Sequence, residues 1–194
     1  VADGRGDVSI SDLAKEEKDV PVFCFDDKQK IVIRTMRNPR ITGYNQPIYK
    51  INFDDGNYIK ATSNHKFLLK TGEYKEVKNL LAGDSLSVLT KYEASWKDIF
   101  ESNSVSQNYY FIDDGNLKTS QIEHRLISEF YHRPIEKGEV IHHVDYNGRN
   151  NNPSNLRIMS KQEHNKLHTK NMIGDKNPMR RAKDEWSKEK WEQY

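Results

Sequence analysis

Short apolar or alternating runs recur through the first half of the chain, at Val22–Phe25, Ile31–Arg34, Ile48–Phe53, Tyr58–Ala61, Phe67–Leu69 and Ser85–Leu89. Turn signals separate them: Asp26-Asp27, Asp54-Asp55-Gly56-Asn57, Lys70-Thr71-Gly72 and Ala82-Gly83-Asp84. Such runs read as strands, and Asp55-Gly56 between two of them predicts a hairpin. A short helix is predicted from Ser11, as cap, to Glu17. The stretch 92–120 is polar and rich in Ser and Asn, with one strand candidate at Tyr109-Tyr110-Phe111-Ile112. From Ser120 the period changes. Ile122, Leu126, Ile127 and Phe130 recur at helical spacing until Pro134 and Gly138 stop the element. Beyond it the pattern predicts a strand over Val140–His143, a loop rich in Asn and Gly from Asp145 to Pro153, and a second strand over Leu156–Met159. A helix follows, with Ser160 as cap and Glu163 completing a capping box. The fold class expected is α+β. A β-domain over residues 1–95 leads through a linker and strand at 96–119 to a small strand–strand–helix unit at 120–172. A basic, partly helical tail occupies 173–194.

Composition narrows this picture. Of 194 residues, 35% are hydrophobic and 31% charged, so the core is small or divided. The net charge of +2 gives no global field for a polyanion. Locally the balance differs: residues 157–183 carry eight Lys and Arg against Glu163 and Asp175, a block able to follow a phosphate backbone. Cys24 is the single cysteine and lies in an apolar run, which excludes an internal disulfide and a thiolate metal site. No run is long and apolar enough to span a bilayer and no secretory signal stands out. An intracellular, cytoplasmic setting of microbial or phage origin is expected. The chain opens on Val1, as expected of a processed, trimmed or internal segment.

The candidate chemistry is concentrated between residues 140 and 168. His142 and His143 are adjacent on the first strand of the unit, so their rings point to opposite faces. His164 and His168 stand four apart on the helix, on one face, able to share a cation. Hydrolysis of a phosphodiester requires an activated water, relief of charge at phosphorus and a stabilised leaving oxygen. A divalent ion serves the last two needs, and a neutral imidazole can take the water's proton. His142, His164 and His168 are therefore the candidate metal ligands, and His143 the candidate general base. Asn155 is expected to bond across the long loop and hold that base, and Asp145 is a reserve ligand. His65, His124 and His132 lie outside the constellation, the last two expected at the surface or in packing.

The His142-His143 pair, Asn155 before Leu156, and the His164/His168 pair resemble the HNH (ββα-metal) nuclease motif over residues 120–170. The text from His142 through Asn155-Leu156, with Glu123-His124-Arg125-Leu126 upstream, is similar to homing enzymes of that class. The resemblance implies a site-specific endonuclease acting on double-stranded DNA with one divalent ion. Mg²⁺ or Mn²⁺ is the functional expectation, and three imidazoles also suit Zn²⁺ or Ni²⁺. Gly174-Asp175-Lys176-Asn177-Pro178-Met179-Arg180-Arg181 resembles a short DNA-contact module found behind such nucleases. Arg149, Lys176, Asn177, Arg180 and Arg181 are the candidate DNA contacts.

Two further stretches, Gly56 to His65 and Val77 to Leu86, resemble the Hint domain of inteins, with Thr62 and His65 as its Thr-x-x-His block. That resemblance covers about residues 4–90 and implies an all-β Hint-like fold. The block would polarise a scissile peptide bond for an N-terminal Cys or Ser. No such nucleophile precedes the opening block, and no His-Asn pair ends the chain, so splicing would need a removed nucleophile or a C-terminal partner segment. The second functional expectation is therefore the N-terminal part of a protein-splicing intein that carries the nuclease.

Overall fold

The structure is a computed structural model that describes residues 1–95, 108–115 and 120–172. The architecture is mixed α/β, made of small sheets and short helices. In chain order these are helix α1 (Ile10–Glu16), strands β1 (Val20–Phe25), β2 (Ile31–Met36), β3 (Ile48–Asn52), β4 (Tyr58–Thr62), β5 (Lys66–Leu68), β6 (Tyr74–Glu76), β7 (Thr90–Ser95), β8 (Asn108–Asp113) and β9 (Gln121–Ile122), helix α2 (Glu123–Tyr131), strands β10 (Glu139–His143) and β11 (Leu156–Ser160), and helix α3 (Lys161–Met172). Strands β1–β2, β3–β4, β5–β6 and β10–β11 pair as separate antiparallel hairpins, and β7, β8 and β9 form a three-stranded antiparallel sheet.

Several sequence expectations move. Helix α1 is capped by Ser9, not Ser11, because the Ser9 hydroxyl is the acceptor that meets the Asp12 N–H, at 3.1 Å. The run Ser85–Leu89 forms only a bridge between Leu69 and Leu86. Its entry turn is held instead by Asp84, which accepts from the Leu81 N–H and pairs with Lys75, each at 2.7 Å. Strand β7, at the end of the expected β-domain where no strand run was expected, pairs along its whole length with β8. The basic, partly helical tail expected at 173–194, with its Gly174–Arg181 module, lies outside the described residues.

Two buried clusters organise the described residues. Ala2, Ile127 and Leu156 form one, and Ile31, Ile112 and Leu126 the other; Phe23 and Ile33 of the β1–β2 hairpin pack against both. Each cluster joins residues from the first thirty-odd positions to residues of α2 or β11, so apolar burial, the main favourable term in folding, ties the N-terminal segment to the strand–strand–helix unit. The approach is close. Gly4 has φ +91°, and a Cβ there would meet the Asn152 backbone at 2.7 Å. Only glycine accepts both the backbone angle and the contact.

The β10–β11 hairpin sits between two helices. In its register His143 lies opposite Leu156 and His142 opposite Arg157. The Ile141, His143 and Leu156 face meets α2 through Ile127 and His124, and the His142 face meets α3 through His164 and His168. Arg133, just after α2, clamps the start of β10 by donating two bonds to Glu139 at 2.6 and 2.7 Å. Those bonds, with one from the Glu136 N–H, hold the Glu139 carboxyl down to about 2.

Candidate metal centre and active site

Helix α3 begins where the capping box predicts. The Ser160 hydroxyl accepts from the Glu163 N–H at 3.2 Å, and the Glu163 carboxylate accepts from the Ser160 N–H at 3.0 Å. One turn later the i, i+4 spacing brings the rings of His164 and His168 to 4.4 Å between centroids, with their Nε2 atoms 3.1 Å apart. The His142 ring, from β10, lies 5.4 and 5.5 Å from them. The potential ligand atoms of the three residues all lie within 4.8 Å of one another. Tyr146, in the loop and at φ 61°, sets its ring edge to both His142 and His168.

Three imidazoles meeting without a carboxylate among them are a donor set suited to a divalent cation of borderline softness, whose bonds to nitrogen are about 2 Å long. Burial pushes the His142 and His164 imidazoles below their ordinary range, and the neighbouring histidines push the same way. Both are therefore held in the neutral form that binds a metal. Asp145, the reserve ligand, is engaged elsewhere. Its oxygens accept from the Asn147 N–H, the Asn150 amide and the Asn155 amide, bonds that lower its pKa, with Asn150 the largest cause.

On the opposite face of β10, His143 is 6% exposed. Its ring packs edge-on against His124, centroid to centroid 5.0 Å, and lies 6.0 Å from Tyr109. Burial pushes its pKa down, opposed by the bond to Asn151 and the charge of Asp145. The side chain that meets the His143 ring is Asn151, with Oδ1 2.9 Å from Nε2. The expectation that Asn155 holds this ring needs refining. Asn155 adjoins the strand position paired with His143, and its amide turns into the loop. There it accepts from the Asp145 N–H at 3.1 Å and donates to Asp145 and to the Asn150 carbonyl at 2.9 and 2.8 Å. Its carbonyl accepts from the Val144 N–H at 2.9 Å. Asn155 thus fixes the chain leaving His143, while Asn151 fixes the ring.

Asn151 in turn donates through Nδ2 to Glu123 Oε2 at 2.7 Å, and Glu123 Oε1 pairs with the Lys91 ammonium at 2.7 Å. Glu123 is 3% exposed. Glu123 and Asn151 fall within the text that resembles homing enzymes, but no pattern in the sequence joins these three residues to the His143 ring. Asn151 is the middle of three consecutive asparagines, and Lys91 and Glu123 are ordinary members of a strand and a helix first turn.

The remaining candidates sit in other surroundings. Arg149 donates to Glu93 of β7 through Nε and a terminal nitrogen, at 2.9 and 2.5 Å. Lys176, Asn177, Arg180 and Arg181 lie outside the described residues. Thr62 ends β4 and donates to Asn64 at 2.9 Å, and the ring of His65 packs edge-on against Phe67. His124 is buried in packing, its imidazole pushed by burial down to about 3. His132 is exposed, its Nε2 3.3 Å from the Pro153 carbonyl.

The comparisons with known proteins agree with this geometry. Residues 123–166 match the model of the HNH endonuclease family, a span that runs from the first residue of α2 into α3 and contains every residue of the metal cluster except His168. That segment is similar to an HNH endonuclease domain, and the similarity points to nuclease chemistry in this part of the chain. Over 180 residues the chain is 31% identical to a DNA gyrase polypeptide of a Synechocystis species, a match covering 89% of this chain and 16% of that protein. The chain thus spans about one sixth of the relative it matches. Among the described residues no helix is long and apolar enough to cross a membrane.

Proposed function

We propose that the protein is a metal-dependent, site-specific endonuclease of homing type that hydrolyses phosphodiester bonds in double-stranded DNA. The observation that carries this reading is the convergence of His142, His164 and His168 from a strand and a helix, with His143 on the other face of the same strand. His142, His164 and His168 would hold the ion, which when bound supplies charge stabilisation at the scissile phosphate and the leaving oxygen. His143, neutral through burial, takes a proton from the attacking water. Asn155 keeps the loop closed so that the base is presented at a fixed position. Arg149 and the basic residues Lys176, Arg180 and Arg181, with Asn177, supply phosphate and minor-groove contacts.

The test is incubation of the purified chain with plasmid carrying a randomised target library, with Mg²⁺, Mn²⁺ or no added metal. Metal-dependent cutting at one sequence class is the expected result; cutting that survives chelation, or none with any divalent ion, refutes it.

One observation favours a second reading. The matched stretch is a small part of a long protein named for another activity, as an element carried within a host reading frame would be. With the Hint-like block of Thr62 and His65, that supports an N-terminal intein segment whose nuclease is its passenger. Mixing the chain, extended by an N-terminal Cys, with candidate C-terminal segments and seeking a new peptide bond by mass spectrometry decides between the two.

A further inference from the structure

The side chains behind His143 form a directed chain, and its direction is fixed at the far end. Lys91 can only donate, so it fixes Glu123 as an acceptor at Oε1. The second oxygen of that carboxylate, Oε2, also only accepts, so the Asn151 atom 2.7 Å from it is the amide nitrogen. The amide orientation is thereby settled by its partners. Oδ1 of Asn151 then faces His143 Nε2 at 2.9 Å, and an amide oxygen has no proton to give. The proton in that bond is carried by Nε2. Among the described residues the His143 ring makes no other hydrogen bond, and the only buried polar side-chain atoms without a partner are His124 Nδ1 and Ser128 Oγ. Among the described residues His143 Nδ1 therefore has no hydrogen-bond partner.

We propose that Asn151, oriented by Glu123 and Lys91, is a positioning residue that holds neutral His143 as the Nε2–H tautomer and leaves Nδ1 as the atom that takes a proton. The inference rests on His143 being the base of the nuclease. When Nδ1 accepts the proton of the attacking water, Nε2 keeps its own, and its bond to Asn151 becomes charge-assisted and stronger. The Glu123 carboxylate, one amide away, faces the charge that develops. The ring gains a proton without having to turn. A histidine whose two nitrogens were interchangeable would present the wrong atom for part of the time.

The experiment reads the ring directly in the full chain labelled with ¹⁵N, at a pH where His143 is neutral, with the signal assigned by its loss in His143→Ala. The expected result is an exchange-protected proton on Nε2. Asn151→Ala should remove that protection and lower the cleavage rate about 10- to 100-fold, with little change in KM for DNA and none in Mn²⁺ uptake. Glu123→Ala should lose the signal too, since nothing then holds the Asn151 amide nitrogen away from His143; this variant reads the relay even if Asn151→Ala fails to fold. A protected proton found on Nδ1, or an Nε2 signal unchanged in Asn151→Ala, overturns the relay while leaving the base assignment intact. Loss of the signal with cleavage at the wild-type rate overturns the positioning role of Asn151, whereas cleavage at the wild-type rate in His143→Ala overturns His143 as the base.

Discussion

Strands β3 and β4 pair over five residues each, and so do β10 and β11; both are antiparallel hairpins with aliphatic residues interleaved among polar ones. In β3–β4 much of the apolar content faces solvent: Ile48, Tyr49, Tyr58 and Ile59 are exposed, and the Lys50 ammonium lies 4.2 Å over the Tyr58 ring. In β10–β11 one face carries Ile141, His143 and Leu156 onto α2 and the other carries His142 onto α3, so both histidines are buried. A hairpin gives two faces for free, since side chains alternate. Only when each face is covered by a different partner can neighbouring residues acquire different chemistry. His142 is drawn among other imidazoles and His143 into a hydrogen-bonded chain, though one peptide bond separates them.

This contrast between the hairpins rests on particular side chains, and the largest effects are expected at the histidines of β10 and its neighbour α3. His143→Ala should lower cleavage by about 10²- to 10⁴-fold, the usual contribution of a general base, with metal uptake and DNA binding retained. Titration calorimetry with Mn²⁺ alongside a nicking assay checks both halves, and a variant that still nicks at the wild-type rate removes the base assignment. His168→Ala should instead act on the metal, weakening uptake by more than about 100-fold, since loss of a ligand exceeds the loss of a group that merely supports one. Equal metal affinity in wild type and variant would mean that the three rings do not form a ligand set.

Stability separates the hairpins next. Leu156→Ala in the buried cluster should cost about 2–5 kcal/mol in urea unfolding, and Ile59→Ala on the open hairpin less than about 0.5 kcal/mol. Similar costs at both positions would show that β3–β4 is covered in solution. A last effect concerns pH. His124 is neutral in the folded chain down to about 3, against an ordinary value near 6.5. The unfolded chain binds the proton first, so stability is full above pH 6.5 and falls through the window from there to about 3. The slope from this group is at most about 1.4 kcal/mol per pH unit. His124→Phe should flatten the stability–pH curve in that window; an unchanged slope would mean that the ring is solvated.

Local pattern carried much of this structure. Strands β1 to β5, the capping box at Ser160 and Glu163, and the ordering strand, loop, strand, helix around the histidines all follow from periodicity and turn residues, because each depends on neighbours within a few positions. The i, i+4 pair on α3 is of the same kind. Strand β7 was hidden because its polar sequence has no period of its own; it is a strand because β8 pairs with it. The exchange of Asn155 for Asn151 as the partner of the His143 ring has a similar origin. Asparagines at 150, 151, 152 and 155 are chemically identical, and only the path of the loop past α2 decides which one reaches the ring.

The residue types of the centre and their spacing were thus legible in the chain itself: three imidazoles fit to hold a cation and a fourth beside them, since helix and strand periodicity are properties of a local backbone. What stands behind the fourth ring was settled only in three dimensions. Lys91, Glu123 and Asn151 come from a strand, a helix and a loop, and a hydrogen-bond chain among residues so far apart in sequence exists only once packing has brought their elements together.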